Sequence, residues 1–366
     1  MESKRNRRTL VRRLYAERYL LITMASFTLS VSFTRLFLEI AGYPQLGGGE
    51  LHIAHVLWGG MFLFTGSLLP LIFANKRALD LSALLSGIGV GLFIDEVGKF
   101  LTRTNDYFYP AAAPIVYIFF LLTLFIFTML RRGKEPRVRQ RLYYTLEKFE
   151  EVLEGDLSRE EYEEIISDLQ AIENKNPGSD AGRIAGNLLA VLESEEENLI
   201  AHQPDFLEKT WQGWLDFENR NFSASTIRGW LLFVWIISGV LAILHSILAY
   251  LYTAGQLSLT GVIGELLATS LADFNQLSVP AYIRFFGEGI FGFLLAVAAL
   301  AALIRRERLS LNLAQLAQLA NILFVNIFVF YYDQFSAIVF TLLQFGVLFI
   351  TYRYRKNFLR ESIQTG

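Results

Sequence analysis

The sequence predicts an all-α integral membrane protein: about eight transmembrane helices as two parallel four-helix repeats, with a cytoplasmic helical insert. Three observations predict it. Of the 366 residues, 53% are hydrophobic, and the mean hydropathy is +0.37, more apolar than an ordinary soluble domain. Apolar runs of about 20 residues recur, the length at which a helix crosses a hydrocarbon core of about 30 Å. Lys and Arg collect at alternate ends of these runs, although the net charge is only -2.

The basic start, MESKRNRRTLVRR, assigns residues 1–18 to the cytoplasm. The apolar run behind it is too long for a signal-peptide core and lacks a small-x-small cleavage site, so it reads as a first span. Residues 19–130 form the first unit, with spans at 19–41, 52–74, 80–101 and 111–130. Residues 229–352 form the second, with spans at 229–252, 282–304, 311–331 and 334–352, and 353–366 are a cytoplasmic tail. One side of the membrane receives the N-terminus, NKR (Asn75 to Arg77), RRGKEPRVRQR (from Arg131), RRER (Arg305 to Arg308) and YRYRK (Tyr352 to Lys356). The other receives GYPQLGGGE, TRTNDYFYP and the 253–281 loop, which hold few basic residues. The positive-inside rule then puts both termini in the cytoplasm of a bacterial inner-membrane protein.

Residues 131–228 form the polar insert and hold most of the acids. Ser158 with Glu161 is a capping box, and Tyr162, Ile165, Ile166, Leu169 and Ile172 give the helix behind it an apolar face. Asn176-Pro177-Gly178 ends that helix. Ile184, Leu188, Leu189 and Leu192 mark another. Trp211, Trp214 and Phe217 have the spacing of an amphipathic helix at the membrane surface. The acidity argues against nucleic acid as a partner. It leaves the lipid bilayer, and a protein docked on the insert, as the partners to expect.

The second half echoes the first. HVLWGGMF parallels RFFGEGIF, NKRALDLSALL parallels RRERLSLNLAQL, and DYFYPAAAPIVYIFF parallels DQFSAIVFTLLQF. Each half crosses an even number of times, so the repeats are parallel.

The polar residues of the first unit converge on one depth, the extracytoplasmic side. They are Arg35 and Glu39 ending span one, His52 and His55 opening span two, Asp95, Glu96 and Lys99 ending span three, and Arg103 and Asp106 in the loop beyond. His52, His55 and Asp95 are candidate ligands of a divalent metal. Glu96 and Lys99 are the candidate catalytic pair, and Arg35, Glu39, Arg103 and Asp106 the candidate ligand-binding set. Helical spacing pairs Asp95 with Lys99 and Arg35 with Glu39 along their own helices, lets Glu96 reach Lys99 and Arg103, and pairs Arg284 with Glu288 in the second unit. Ionisable residues inside a membrane are usually functional, because their burial is costly. Gly87, Gly89 and Gly91 of span three, with Gly59 and Gly60 of span two, permit close helix approach. With no cysteine in the chain, disulfides, thiol catalysis and Cys-ligated metals are excluded.

The motifs H-x-x-H-x-x-W-G-G (His52–Gly60), G-x-G-x-F-I-D-E-x-G-K-F (Gly89–Phe100) and N-D-Y-F-Y-x-A (Asn105–Ala111) resemble those of an uncharacterised family of bacterial polytopic membrane proteins. The resemblance covers the first unit and implies a membrane location. Three functions are compatible with these residues. One is a metal-dependent membrane enzyme on a lipid or envelope substrate, with Glu96 as general base. The second is a cation- or proton-coupled small-solute transporter. The third is a non-catalytic scaffold or sensor.

Overall fold

The structure is a computed structural model that describes residues 10–42, 54–131, 136–155, 157–193, 206–221, 223–253 and 279–364. The regular elements among the described residues are all helices, without a strand among them. His52, the 253–281 loop between residues 254 and 278, and the segment 43–53 lie outside them.

Among the described residues, seven stretches are long and apolar enough to cross a membrane. The first six are α1 (Ala16–Ala41), α2 (His55–Ile72), α3 (Lys76–Asp95), which a one-turn α4 (Val97–Leu101) follows, α5 (Ala112–Arg131), α10 (Ala224–Thr253) and α11 (Val279–Leu303). The seventh, Glu307–Lys356, is 50 residues long. A straight helix of that length would measure about 75 Å at 1.5 Å per residue, more than twice a hydrocarbon core. It does not run straight. It comprises α12 (Glu307–Ala320), a π-helical turn (Asn321–Val325), α13 (Asn326–Asp333), a 3-10 turn (Gln334–Ser336) and α14 (Ala337–Gln364). Gln334, at φ 53° and ψ -137°, reverses the chain. Asn326 Nδ2 then donates to Gln344 Oε1 at 2.6 Å, and Arg355 NH1 to Gln315 Oε1 at 2.7 Å. The stretch is therefore an antiparallel hairpin, and the eight expected passes are recovered.

The chain groups into two compact units. The first contains residues 1–31, 48–92 and 122–215, and the second 32–47, 93–121 and 216–366.

In the first unit, α3 is flanked closely by two helices. A Cβ at Gly87 would collide with Ser26 Oγ of α1, and one at Gly89 would lie 2.7 Å from the Gly59 carbonyl of α2. Only glycine allows backbones this near, which is how small residues replace a hydrophobic driving force between helices in lipid. The insert contributes α6 (Val138–Glu154), α7 (Arg159–Lys175), α8 (Asp180–Glu193) and α9 (Phe206–Asn221). The capping box forms as expected, with the Glu161 amide donating to Ser158 Oγ and the Ser158 amide to Glu161 Oε2. Helices α6, α7 and α8 close around Leu157, Tyr162, Ile165, Leu169, Ile172, Ala185 and Leu192. The acids of α6 take up the basic segments that lead into α1 and open α3. Glu147 accepts from the Leu14 amide at 2.6 Å, Glu150 accepts from the Lys76 amide at 2.7 Å, and Glu151 pairs with the Lys76 ammonium. Insert and span ends are thus joined by charge-assisted hydrogen bonds.

The second unit packs Ile227, Leu231, Trp235, Ala298, Ala299, Leu311, Ala314 and Tyr354 into one cluster. Its other end holds Tyr117 stacked on Phe330 at 4.4 Å, with Ala113 and Ala337 beside them.

Candidate functional site

The second unit carries two buried charge clusters. The first is built on a helix break. Asp95 is the last residue of α3. Glu96, at φ -88° and ψ 11°, leaves the helical region, and α4 restarts at Val97. The D-E-x-x-K motif is thus not one continuous helix, and its two carboxylates turn to different partners. Arg35 Nε donates to Asp95 Oδ1 at 2.5 Å, and Arg35 NH2 to the Asp95 carbonyl at 3.0 Å. The Tyr107 hydroxyl donates to Asp95 Oδ2 at 2.6 Å. Asp95 is 0% exposed. The Arg35 guanidinium lies between two rings, 4.1 Å from the Tyr107 centroid and 3.6 Å from that of Phe335. Glu96, also buried, faces Lys99 Nζ at 3.3 Å.

These contacts correct the expected pairs within single helices. Asp95 pairs with Arg35 rather than Lys99, while the approach of Glu96 to Lys99 that the spacing allows does form. Glu39 is exposed. The reason is the break at Glu96: it ends the i, i+4 relation between Asp95 and Lys99 and leaves Asp95 facing α1. Two cations meet two carboxylates, so the cluster is formally neutral.

Of the sequence candidates, Arg35, Asp95, Glu96 and Lys99 come together. Arg103 is exposed. Asp106 shapes the loop: its Oδ1 accepts from the Phe108 amide at 2.9 Å, and its own amide donates to Thr102 Oγ1 at 2.7 Å. That loop lies on Gly98, where a Cβ would be 2.7 Å from the Asp106 carbonyl. His55 opens α2 and is half-buried, and His52 is outside the described residues. Among the described residues, no three of His, Asp and Glu gather as a metal site. For Asp95 the physical reason is plain: each of its oxygens already holds a short hydrogen bond.

The second cluster was only half visible in the sequence. Arg284 on α11 forms a bidentate pair with Asp333, NH1 to Oδ1 at 2.9 Å and NH2 to Oδ2 at 2.7 Å. Its Nε donates to Glu288 Oε1 at 3.2 Å. Glu288 Oε2 is 2.6 Å from His245 Nδ1 on α10. A chain of four side chains results, His245–Glu288–Arg284–Asp333. Its Asp333 end has a side chain 36% exposed, while the Arg284 side chain is 8% exposed. Among the described residues, with His245 neutral, two carboxylates face one guanidinium, leaving one negative charge in excess. The Arg284 and Glu288 spacing was legible. The role of His245, 43 residues from Glu288, was not, although an imidazole inside an apolar span is itself a signal.

No protein-family model, no curated protein and no solved structure matches the chain.

Proposed function

We propose that this membrane protein is a proton-coupled transporter of a small solute, and that the His245–Glu288 pair takes up the proton. The observation that carries this reading is the charge count of the second cluster. An excess negative charge held in a membrane span is costly, and a proton on His245 offsets it. Chains of carboxylate and imidazole are the usual material of proton relays in lipid. The first cluster, neutral and clamped by Arg35 between two rings, suits a positioning role: buried pairs of this kind specify how helices register. The positive-inside pattern places both clusters toward the outer face. The parallel duplication of a four-helix unit and the bacterial inner membrane belong to the same proposal. The metal-enzyme reading is less favoured, because it needs Asp95 as a ligand.

Proteoliposomes with a trapped pH dye test the proposal. With a panel of small solutes (amino acids, sugars and organic acids) added outside, an imposed pH gradient should collapse faster with the purified protein than in protein-free vesicles, because a coupled carrier moves protons only with its solute. Glu288→Gln and His245→Gln should each slow the collapse at least tenfold. Rates equal to protein-free vesicles would sink the proposal.

A further inference from the structure

The last hairpin carries polar side chains that its own packing leaves without partners. The π-helical turn is the first sign. Such turns add a residue to a helix and free carbonyl groups, and they gather at functional sites. Here the Tyr117 hydroxyl donates to the Ile322 carbonyl inside the turn at 2.7 Å. Asn326, which follows the turn, is buried and donates to Gln344 Oε1 at 2.6 Å and Thr341 Oγ1 at 3.2 Å. Asp333, the far end of the His245 chain, closes the same α13.

Deeper along the same strip of helix the partners run out. Gln318 is 7% exposed, yet both its Nε2 and its Oε1 lack a hydrogen-bond partner. Ser310 is 1% exposed, and its Oγ is also unpartnered. So is Trp235 Nε1, on a ring 3% exposed. Ser310 and Trp235 line one cleft with Tyr354, and Arg228 and Glu307, paired at 3.3 Å, stand beside it. Ser310, Ala314, Ala317 and Gln318 share the buried face of α12. From Ser310 to Gln318, and from Gln318 to Asn326, is eight residues each, about 12 Å per step at helical rise. The pairing of Arg355 with Gln315 sets Thr351, 0% exposed, level with Leu319, beside Gln318.

A buried amide with neither atom satisfied costs several kcal/mol in an apolar medium, so native proteins supply water or a ligand. The unpartnered groups cover about 12 Å, from Ser310 and Trp235 to Gln318, and the Asn326 cluster carries the polar line about 12 Å further, so one connected supply of water serves them better than separate trapped waters. We infer that the buried face of this hairpin lines a hydrated file, from the Asn326 cluster past Gln318 to the Ser310 cleft, along which the proton taken up at His245 crosses the membrane. What moves along the file rests on the proton-linked reading. That water fills it rests on the orphaned polar atoms alone.

The native chain has no cysteine, so single thiols can be placed without background. Gln318→Cys and Ser310→Cys probe the file, and Leu316→Cys, on an outward-facing position 58% exposed, is the lipid-facing control. A small water-soluble methanethiosulfonate reacts with thiolate, which needs water to form. In proteoliposomes both file positions should label at least tenfold faster than Leu316→Cys, and Gln318→Leu should cut proton flux at least tenfold. Labelling of both file positions as slow as the control overturns the file. Unchanged flux in Gln318→Leu overturns its use as the route. Fast labelling with no flux in the wild-type protein confirms the file and overturns the proton-linked reading.

Discussion

Replacing Arg35 by Met tests how the first cluster is held. Asp95 is wholly buried and takes the Arg35 Nε at 2.5 Å. Removing the guanidinium leaves a buried carboxylate without its counter-charge, which costs about 3–5 kcal/mol. Asp95→Asn should cost less, about 1.5–3 kcal/mol, the range for hydrogen bonds to charged groups. Arg35 would keep the residue-95 carbonyl and its two aromatic faces. The double variant, Arg35→Met with Asp95→Asn, leaves no unpaired charge. It should therefore cost about 2 kcal/mol less than the sum of the single changes, within the range for coupled residues in contact. Lys99→Met should cost less than Arg35→Met, because the Lys99 side chain is 26% exposed and its pair longer, at 3.3 Å. The assay is reversible unfolding in mixed micelles, with all five proteins, wild type included, titrated in parallel. An Arg35→Met protein within about 1 kcal/mol of wild type, or additive single changes, would refute the reasoning.

Other outcomes follow from separate parts of the structure. Asp333→Asn breaks the bidentate pair with Arg284 and should lower stability by about 1.5–3 kcal/mol in the same unfolding assay. Gly98→Val forces a side chain against the Asp106 carbonyl; about 1–3 kcal/mol of destabilisation is expected, with faster hydrogen exchange in residues 102–109. Ser158→Ala removes the α7 cap and should cost about 1 kcal/mol, read as faster amide exchange in the first turn of α7 and little change in the spans. Tyr15, at the edge of α1, has its phenol pushed up to about 12 by burial, with Glu161 and Glu164 adding to it. Its folded value exceeds the unfolded value near 10, so the stability it contributes is complete below about pH 10 and is lost as pH rises toward 12. Tyr15→Phe should flatten that alkaline fall; an unchanged slope would place the effect elsewhere.

The membrane class, the position of each apolar pass and three of the four insert helices, α7, α8 and α9, were legible in the sequence. These features depend on local quantities. Run length against bilayer thickness located α1, α2, α3, α5, α10, α11 and the hairpin. The Ser158–Glu161 capping box and the 3.6-residue apolar period located α7. The grouping of Arg35, Asp95, Glu96 and Lys99 was legible too, since topology alone sets their depth. So was the Glu96–Lys99 pair, but the pairing of Asp95 with Arg35 was not. A helical wheel joins Asp95 to Lys99 only if the helix continues, and Glu96 interrupts it.

Packing decided the rest. His245 meets Glu288 across two helices, and Arg284 meets Asp333 across 49 residues of chain. The π-helical turn, the Asn326 cluster and the unpartnered Gln318 left no local mark, because an amide in an apolar run looks the same whether it faces lipid, a partner or water. Hydropathy sums side chains one at a time and so reports where the chain enters the membrane. Which charges neutralise one another there depends on which helix faces touch, and only the tertiary structure settles that.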